Sequence, residues 1–495
     1  MSKRENNRTE KWSPSRLRLF RLGAVILGLM PLVIAEGICR LLARAPQPLE
    51  YDPIFDTTEV RPLFQTTGEF REVRSTRLEF FRPDRFLTEK PENGRRVFVL
   101  GGSTVQGRPY EIETAFSTWL RLRLQAADPN HVYEVVNCGG VSYASYRLAI
   151  VLREILEYQP DAVVLYTGHN EFLEQRSYQT WKPRRPLVDG VVRRSRLLQV
   201  LAKSFQRAPD QTLTAEVQTR LDEPDGLGLY RRDEPWRAAV VEHFERNLSA
   251  MIMACDRANV PLLLCRPVSE IVETAPFKVA SLQWAADEQP LFESAWRLAL
   301  DPQRRVVERI AACESCLEMD AGHAGAHFVA GRLHLIQGRA GKAREHLIAA
   351  RDHDVCPLRA TGGILDRIDA LAAQTGTPLI HLDQPFDESN LSGQSLPDGF
   401  PDPAKFVDHI HPTIAMHQEI ATRVGRRLMR LWNVKLGRQA EADYHSAVQS
   451  HLESLDETYH ARAKQRLAGL LQWAAGRAGE LHLGEEPSVT SSRPE

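Results

Sequence analysis

Short apolar runs recur along the chain and alternate with stretches of helical periodicity. Each of five such runs predicts a strand, at 96–100, 132–136, 162–166, 261–265 and 378–382. Between them, apolar residues spaced by three and four positions predict helices at 114–126, 146–158, 236–257 and 363–374. Apolar strands that alternate with helices are typical of a parallel sheet covered on both faces, so the predicted fold class is α/β.

The N-terminus joins a basic segment to an apolar one. Residues 1–21 hold seven Lys or Arg against two Glu, and residues 22–35 carry no charge. A helix over 22–39 would be about 27 Å long, enough to cross the hydrocarbon core of a bilayer. The basic segment comes first, so we expect a cytoplasmic tail over 1–21 and a transmembrane signal anchor over 22–44. A cleaved signal peptide and a buried soluble helix are the alternatives.

Helical sequence at 290–356 interrupts the α/β pattern. Small residues recur there at the spacing of the tetratricopeptide helix–turn–helix repeat, in which they let paired helices approach closely: Gly331, Gly338, Ala343 and Ala350. The stretch 463–480 echoes the first helix of this pattern. We predict a tetratricopeptide-like insertion that serves as a docking or lid element, with ordinary helical hairpins as the alternative.

Charge and cysteine content exclude several classes of protein. The 63 basic and 64 acidic residues give a net charge of -1, so no global positive field attracts nucleic acid. The 7 cysteines are too few for a disulfide scaffold. Four potential zinc ligands lie close together, but their Cys-to-His gap is shorter than in common zinc fingers, so we predict no metal site: Cys313, Cys316, His323 and His327.

Polar residues follow the predicted strands, at the edge where open parallel sheets form their sites. Ser103 comes after a strand and two glycines, in a turn that exposes a hydroxyl group. Asp408 and His411 lie three residues apart, which lets the carboxylate orient an imidazole that could activate the serine. His409 is the second candidate for the base.

A second set of groups could stabilise the oxyanion that forms when a serine attacks an ester. Asn170 follows a predicted strand and offers a side-chain N–H. The backbone N–H groups of Gly140 and Ser142 could offer another, and the sequence leaves open which of the two serves.

The order of these motifs carries more weight than any one of them. Gly-Gly-Ser-Thr, Asn-x-Gly, Gly-His-Asn-Glu and Asp-x-x-His follow one another as in the SGNH (GDSL-like) hydrolase superfamily, which the chain resembles over 95–175, 255–270 and 375–425. The version found here looks like that of a bacterial membrane-anchored subgroup with tetratricopeptide repeats. Two residues depart from the usual pattern: Gly102 replaces an aspartate, and Ser142 replaces the oxyanion glycine.

The resemblance implies a flavodoxin-like α/β/α fold and an esterase or acylhydrolase activity that needs no cofactor. It implies that Ser103 is the nucleophile, that Asp408 and His411 complete the catalytic triad, and that Asn170 belongs to the oxyanion hole. The hydrolase domain would then cover 46–289, with an insertion at 175–235, and resume at 357–430. C-terminal helices at 431–482 and a disordered tail at 483–495 complete the predicted plan.

The predicted function is hydrolysis of an ester, with an O-acetyl group as one possibility, by a Ser-His-Asp mechanism outside the cytoplasm. In a bacterium this places the catalytic domain on the periplasmic side of the inner membrane. The expected partners are a small-molecule or polysaccharide ester and the membrane, and the helical repeats could bind a protein. The alternatives are O-acyl transfer to a cell-surface polysaccharide and a non-catalytic, repeat-bearing assembly protein.

Overall fold

The structure is a computed structural model. It describes residues 14–42, 49, 52–179, 195–204, 209, 211–280, 282, 285–383, 400–435 and 437–477. The predicted tail at 483–495 lies outside the described residues, as do most of the cytoplasmic segment and the end of the predicted anchor.

The strands confirm the five predicted from apolar runs and add short ones before and between them. In chain order they are β1 (Phe55–Asp56), β2 (Phe64–Thr67), β3 (Phe70–Val73), β4 (Arg85–Leu87), β5 (Gly94–Gly101), β6 (Val132–Gly139), β7 (Ala162–Tyr166), β8 (Gln211–Thr212), β9 (Leu262–Arg266) and β10 (Leu379–His381).

Five of these strands form the central parallel sheet of the described residues. Its order is β10-β9-β7-β5-β6, and every neighbouring pair runs parallel. Numbered along the chain, the strands lie in the order 2-1-3-4-5, which is that of flavodoxin-like folds. The α/β class and the parallel sheet are therefore confirmed.

The helices alternate with the strands as predicted. In chain order they are α1 (Pro14–Leu42), α2 (Ser103–Gln106), α3 (Phe116–Ala127), α4 (Ser145–Ile155), α5 (Arg196–Ser204), α6 (Glu234–Ala258), α7 (Gln289–Leu300), α8 (Val306–Met319), α9 (Ala324–Ile336), α10 (Ala340–Asp352), α11 (Gly362–Thr375), α12 (Ile414–Leu431), α13 (Arg438–Glu453) and α14 (Glu457–Arg477).

The core has a layer on each side of the sheet. Along β5, Phe98 and Leu100 pack with α4, α6 and α11, whereas Val97 and Val99 pack with α3 and α12. All four side chains are fully buried. Side chains of a strand alternate between its two faces, so a strand covered on both sides is apolar throughout, and this is the pattern in the sequence.

The N-terminal helix is exposed over most of its length. Within the described residues, Arg18–Leu42 is long and apolar enough to cross a membrane, as a signal anchor or a transmembrane span would be. Near its end, the Glu36 carboxylate accepts hydrogen bonds from the Ser195 hydroxyl at 2.7 Å and from the Leu197 N–H at 2.9 Å. These contacts hold the start of α5 against α1.

Two regions outside the predicted alternation of strands and helices contain short elements. In the predicted insertion at 175–235, α5 and β8 are formed, and β8 pairs with β1 in parallel. In the Pro-rich region before the core, β2, β3 and β4 form an antiparallel sheet. β1 and β8 are each two residues long and lie far apart in sequence, so no local periodicity predicts their pairing.

Helices α7 to α10 pack consecutively in the region predicted to be helical. Gly331 of α9 faces α10 so closely that a Cβ atom would lie 2.7 Å from Leu347 Cγ. This close approach is what the small-residue spacing predicts, while the tetratricopeptide character of the helices stays a prediction. Helix α14, which contains most of the echoed sequence, contacts Thr114 through the Tyr459 hydroxyl at 2.5 Å.

The four potential zinc ligands have packing partners in this region. Cys313 and Cys316 are buried in two different hydrophobic clusters. The His323 Nδ1 accepts a hydrogen bond from the Ala326 N–H at 3.0 Å and so caps α9. His327 is engaged through both ring nitrogens, with the carbonyl of residue 321 and with a neighbouring histidine.

Candidate active site

Ser103 stands at the carboxyl end of β5, as the first residue of the short helix α2. Both preceding glycines are required by close contacts. A Cβ atom on Gly101 would lie 2.2 Å from the Tyr166 carbonyl oxygen, and one on Gly102 would lie 2.4 Å from the Asn170 Nδ2. The tight strand-to-helix turn therefore depends on the absence of side chains at both positions.

Ser103, His411 and Asp408 form one hydrogen-bonded chain. The Ser103 Oγ lies 2.8 Å from the His411 Nε2, and the His411 Nδ1 lies 2.7 Å from the Asp408 Oδ2. These contacts join β5 to the loop before α12, segments separated by more than half of the sequence. The order of the side chains is the one that activates a serine in known triads.

Asp408 also fixes the loop that carries His411. Its Oδ1 accepts hydrogen bonds from the N–H groups of Ile410 and His411, at 2.9 and 2.7 Å. Burial alone would raise the pKa of Asp408. The neighbouring imidazoles of His411 and His409 and the hydrogen bonds from His411 lower that pKa below its ordinary value instead. Asp408 is thus held as a carboxylate, the form that can orient an imidazole.

His409 occupies a different environment. Its Nδ1 lies 3.6 Å from the Asp408 Oδ2, and its ring packs edge-on against Phe277 with centroids 4.8 Å apart. Burial lowers the pKa of His409 to about 4. Of the two candidate bases, the structure places His411 against Ser103 and His409 behind Asp408.

Asn170 lies over the nucleophile turn, in the segment that follows β7. Its Nδ2 donates a hydrogen bond to the Tyr143 carbonyl at 3.0 Å and sits directly above Gly102. A second N–H on the same nitrogen remains for a ligand. The flanking residues anchor the segment: the His169 Nδ1 accepts from the Ala360 N–H, and the Glu171 carboxylate holds the start of α4.

The Asn-x-Gly motif at the end of β6 is a scaffold for the turn. The Asn137 side chain donates to the Val105 carbonyl at 2.8 Å and to the Ser117 hydroxyl at 2.9 Å. Its Oδ1 accepts from the Gly139 N–H at 2.9 Å. Asn137 therefore ties the end of β6 to the helix that carries Ser103.

The structure separates the two backbone candidates for the oxyanion hole. The Gly140 N–H donates to the Gly101 carbonyl at 2.9 Å, so this N–H already has a partner. The Ser142 N–H has no hydrogen-bond partner among the described residues. Ser142 has a φ of 61°, a left-handed conformation that glycine adopts without strain. This explains why a glycine suits the position.

One further donor was missed from the sequence. Ser103 opens α2, and the first N–H groups of a helix have no partner within it. The Ser103 N–H is therefore a third candidate for the oxyanion hole, together with Asn170 Nδ2 and the Ser142 N–H. The signal was present in the predicted strand–Gly-Gly-Ser turn, which places a helix N-terminus at the serine.

Comparison with known proteins returns structural similarities only. No family model matches the chain, and no curated protein matches it. The acetyl xylan esterase AlAXEase is 14% identical with a TM-score of 0.30, over 67% of this chain and 99% of that one. A GDSL-like lipase from Bacteroides thetaiotaomicron is 11% identical with a TM-score of 0.29, over 70% and 93%.

A variant of an acetyl xylan esterase from Geobacillus stearothermophilus is 12% identical with a TM-score of 0.29, over 70% of this chain and 97% of that one. The matched structures are thus esterases and GDSL-like acylhydrolases of distant sequence. At these scores a function has to be argued from the contacts of the site itself.

Proposed function

We propose that this chain is a serine esterase or acylhydrolase of the SGNH type. The observation that carries the proposal is the chain of contacts from Ser103 Oγ through His411 to Asp408, at 2.8 and 2.7 Å. A serine hydroxyl is a weak nucleophile until a base takes its proton, and a base needs a group that fixes its orientation. Here the nucleophile, the base and the group that orients the base lie together at the carboxyl edge of the sheet.

The mechanism follows from these contacts. The His411 Nε2 takes the proton of the Ser103 hydroxyl while the Oγ attacks the ester carbonyl carbon. The tetrahedral intermediate collapses, the C–O bond to the alcohol breaks, and His411 returns the proton to the departing oxygen. Water then attacks the acyl-serine with the same assistance and releases the acid. Asp408 stays ionised throughout and stabilises the imidazolium.

The oxyanion hole is assigned to three donors in this proposal. They are the Nδ2 of Asn170 and the backbone N–H groups of Ser103 and Ser142. Donors fixed in advance near a developing oxyanion contribute about 10²–10³-fold each to the rate. The supporting observations are the position of Asn170 over Gly102 and the absence of a competing partner for the Ser142 N–H among the described residues.

The cellular placement and the helical region complete the proposal. Helix α1 serves as a signal anchor, with the catalytic domain outside the cytoplasm, because basic residues precede its apolar stretch. Helices α7 to α10 act as a docking or lid element, since the described triad residues belong to other segments.

The test is hydrolysis of 4-nitrophenyl acetate by the full chain in detergent, together with labelling by a fluorophosphonate. Ser103→Ala should lose both labelling and several orders of magnitude in turnover, because the acyl-serine cannot form. Ser75→Ala, which changes an exposed serine on another segment, is the matched control. Wild-type turnover in a folded Ser103→Ala protein would refute the assignment. A sugar acceptor added to the assay separates hydrolysis from acyl transfer.

A further inference from the structure

The segment 107–114 leads directly out of the nucleophile helix. Gly107 has a φ of 94° and turns the chain, and the Arg108 N–H donates to the Ser103 carbonyl at 3.1 Å. The backbone of Arg108 is therefore attached to the residue that carries the proposed nucleophile. The segment 107–114 therefore starts beside the candidate active site.

The other cations around this segment already have partners. The Arg82 guanidinium lies 3.2 Å from the Glu111 carboxylate and donates to the Tyr110 carbonyl at 3.0 Å. Arg466 of α14 pairs with the same Glu111. These contacts pin the segment between the Pro-rich region and the C-terminal helix, and they use the carboxylate nearest to Arg108 in sequence.

The Arg108 guanidinium is left without such a partner. It is half-buried and makes no hydrogen bond or ion pair within the described part of the chain. The carboxylate of Asp408 acts on Arg108 electrostatically, but its two oxygens accept from the Ile410 N–H and from His411. Burial lowers the pKa of Arg108, and the charge of Asp408 opposes that shift. The guanidinium is thus partly desolvated, and its backbone is hydrogen-bonded to Ser103.

A half-buried arginine that has no partner in the protein keeps its N–H donors available to a ligand. A guanidinium offers a fork of donors that matches a carboxylate or a phosphate, and desolvation strengthens such a contact. The Tyr110 hydroxyl, also half-buried and without a partner among the described residues, is a second donor on the same segment.

We infer that Arg108 binds an anionic group of the ester substrate, a carboxylate or a phosphate, and so selects acidic esters over neutral ones. The inference rests on the proposed esterase function and adds its substrate class. Arg108 is here a specificity-determining residue. It holds a part of the substrate that does not react, while Ser103 and His411 act on the ester carbonyl.

The experiment compares three acetyl esters that share the glucopyranoside ring and the position of the acetyl group, and that differ at C6. They are monoacetylated methyl glucoside, methyl glucuronoside and methyl glucoside 6-phosphate, assayed with the full chain in detergent. We expect kcat/KM of the wild type to be about 10- to 100-fold higher for an acidic ester than for the neutral one, mainly through KM. The two acidic esters show whether a carboxylate or a phosphate is preferred.

Arg108→Gln should abolish this preference, and Arg108→Lys should keep part of it, because a lysine retains the charge without the fork. Arg462→Gln removes an exposed arginine of α14 and should leave the preference as it is in the wild type. Circular dichroism shows whether each variant is folded, and Arg108→Lys provides the test if Arg108→Gln is not.

The outcomes distinguish the inference from the proposed function. A wild-type enzyme that hydrolyses all three esters equally would overturn the inference and leave the esterase proposal standing. An equal loss on neutral and acidic esters in Arg108→Gln would overturn it too, since Arg108 would then act through Asp408. A chain that hydrolyses none of the esters and takes no fluorophosphonate label at Ser103 would refute the proposed function.

Discussion

Histidines come together in two regions of this molecule, with different neighbours. At the edge of the sheet, the His411 Nδ1 meets the carboxylate of Asp408 and its Nε2 meets a hydroxyl. In the helical region, the His327 Nδ1 meets the His346 Nδ1 at 3.0 Å, and both rings lie against further histidines. The first arrangement can move a proton along a defined path, whereas in the second the His327 Nδ1 meets another imidazole and, among the described residues, no hydroxyl.

The electrostatic consequences differ in the same way. Burial, followed by the charges of His327 and His334, lowers the pKa of His346 to about 4, so that ring is neutral near pH 7. Both ring nitrogens of His334 are buried without a partner among the described residues. A cluster of neutral imidazoles fills space between helices, whereas an imidazole between a carboxylate and a serine is placed for chemistry. Neighbours, more than burial, distinguish the two regions.

The largest expected effect tests the first region. His411→Ala should lower ester turnover by about 10⁴- to 10⁶-fold, because the serine loses its base. His409→Ala is the matched control: its ring lies behind Asp408, and we expect at least a tenth of wild-type turnover. The measurement is steady-state hydrolysis of an aryl acetate by folded protein. The opposite ranking of the two variants would transfer the role of base to His409.

The next effect concerns the oxyanion donors. Asn170→Ala should reduce kcat by about 10²- to 10³-fold with little change in KM, since the donor acts on charge that develops during the reaction. Ser142→Gly keeps the backbone N–H and suits the positive φ of 61° at this position.

We therefore expect Ser142→Gly to retain turnover within about twofold. Its free energy of unfolding should rise by about 1 kcal/mol, so that it unfolds at a slightly higher denaturant concentration. Equal activity losses in Asn170→Ala and Ser142→Gly would mean that the Ser142 side chain, and not its N–H, takes part. Urea titrations on both variants measure the stability difference.

The third prediction disturbs the helical region. Gly331→Trp places a large side chain where Leu347 leaves no room for a Cβ atom, so α9 and α10 must move apart. Overpacking of this kind costs about 1–3 kcal/mol, measured as a shift in the unfolding of this module. Gly341→Trp is the control, because nothing lies within 4 Å of a Cβ atom there.

Turnover of a small aryl ester should change less than twofold in both glycine variants, while action on the natural substrate or binding of a partner should suffer in Gly331→Trp alone. Loss of aryl-ester hydrolysis in a folded Gly331→Trp protein would show that the helices help to build the active site. The two regions would then be one functional unit.

The comparison also shows what a sequence can and cannot predict here. The sheet could be predicted because each of β5, β6 and β7 contains a short apolar run that is buried between the two helical layers. Ser103, Asp408 and His411 could be predicted together because four separate motifs occur in a known order. The contact of Gly140 with the Gly101 carbonyl could not, since a backbone N–H leaves no trace in the sequence.

The histidine cluster was missed for a related reason. His327 and His346 lie on consecutive helices, and their contact depends on the angle at which α9 and α10 pack. The absence of an ion pair for Arg108 among the described residues has a similar origin, because Glu111 pairs with Arg82 and Arg466, which are distant from it in sequence. Local spacing predicts which groups are available, whereas tertiary packing decides which of them meet.

The smallest effect is a change in how stability depends on pH. The pKa of His346 falls from the ordinary histidine value of 6.5 to about 4 in the folded chain. Between these values the unfolded chain binds more protons at this position, so the stabilising contribution of neutral His346 is present above about pH 6.5 and is lost as the pH falls towards 4. Lys342, His327 and His334 add to the shift, since each opposes a positive charge on the ring.

In the wild type, α9 and α10 should lose protection from hydrogen exchange as the pH falls from 7 to 5. This loss should be smaller in His346→Gln. Hydrogen exchange of the amides in α9 and α10 is the measurement, because it reports this module separately from the sheet. His445→Gln, at an exposed position on α13, should keep the wild-type dependence. His346→Gln should remove only part of the pH dependence, because burial also lowers the pKa values of His323 and His327 in the same region. An unaltered pH dependence in His346→Gln would mean that the imidazole cluster stays intact on protonation, and the contrast with the carboxylate-bound His411 would then rest on geometry alone.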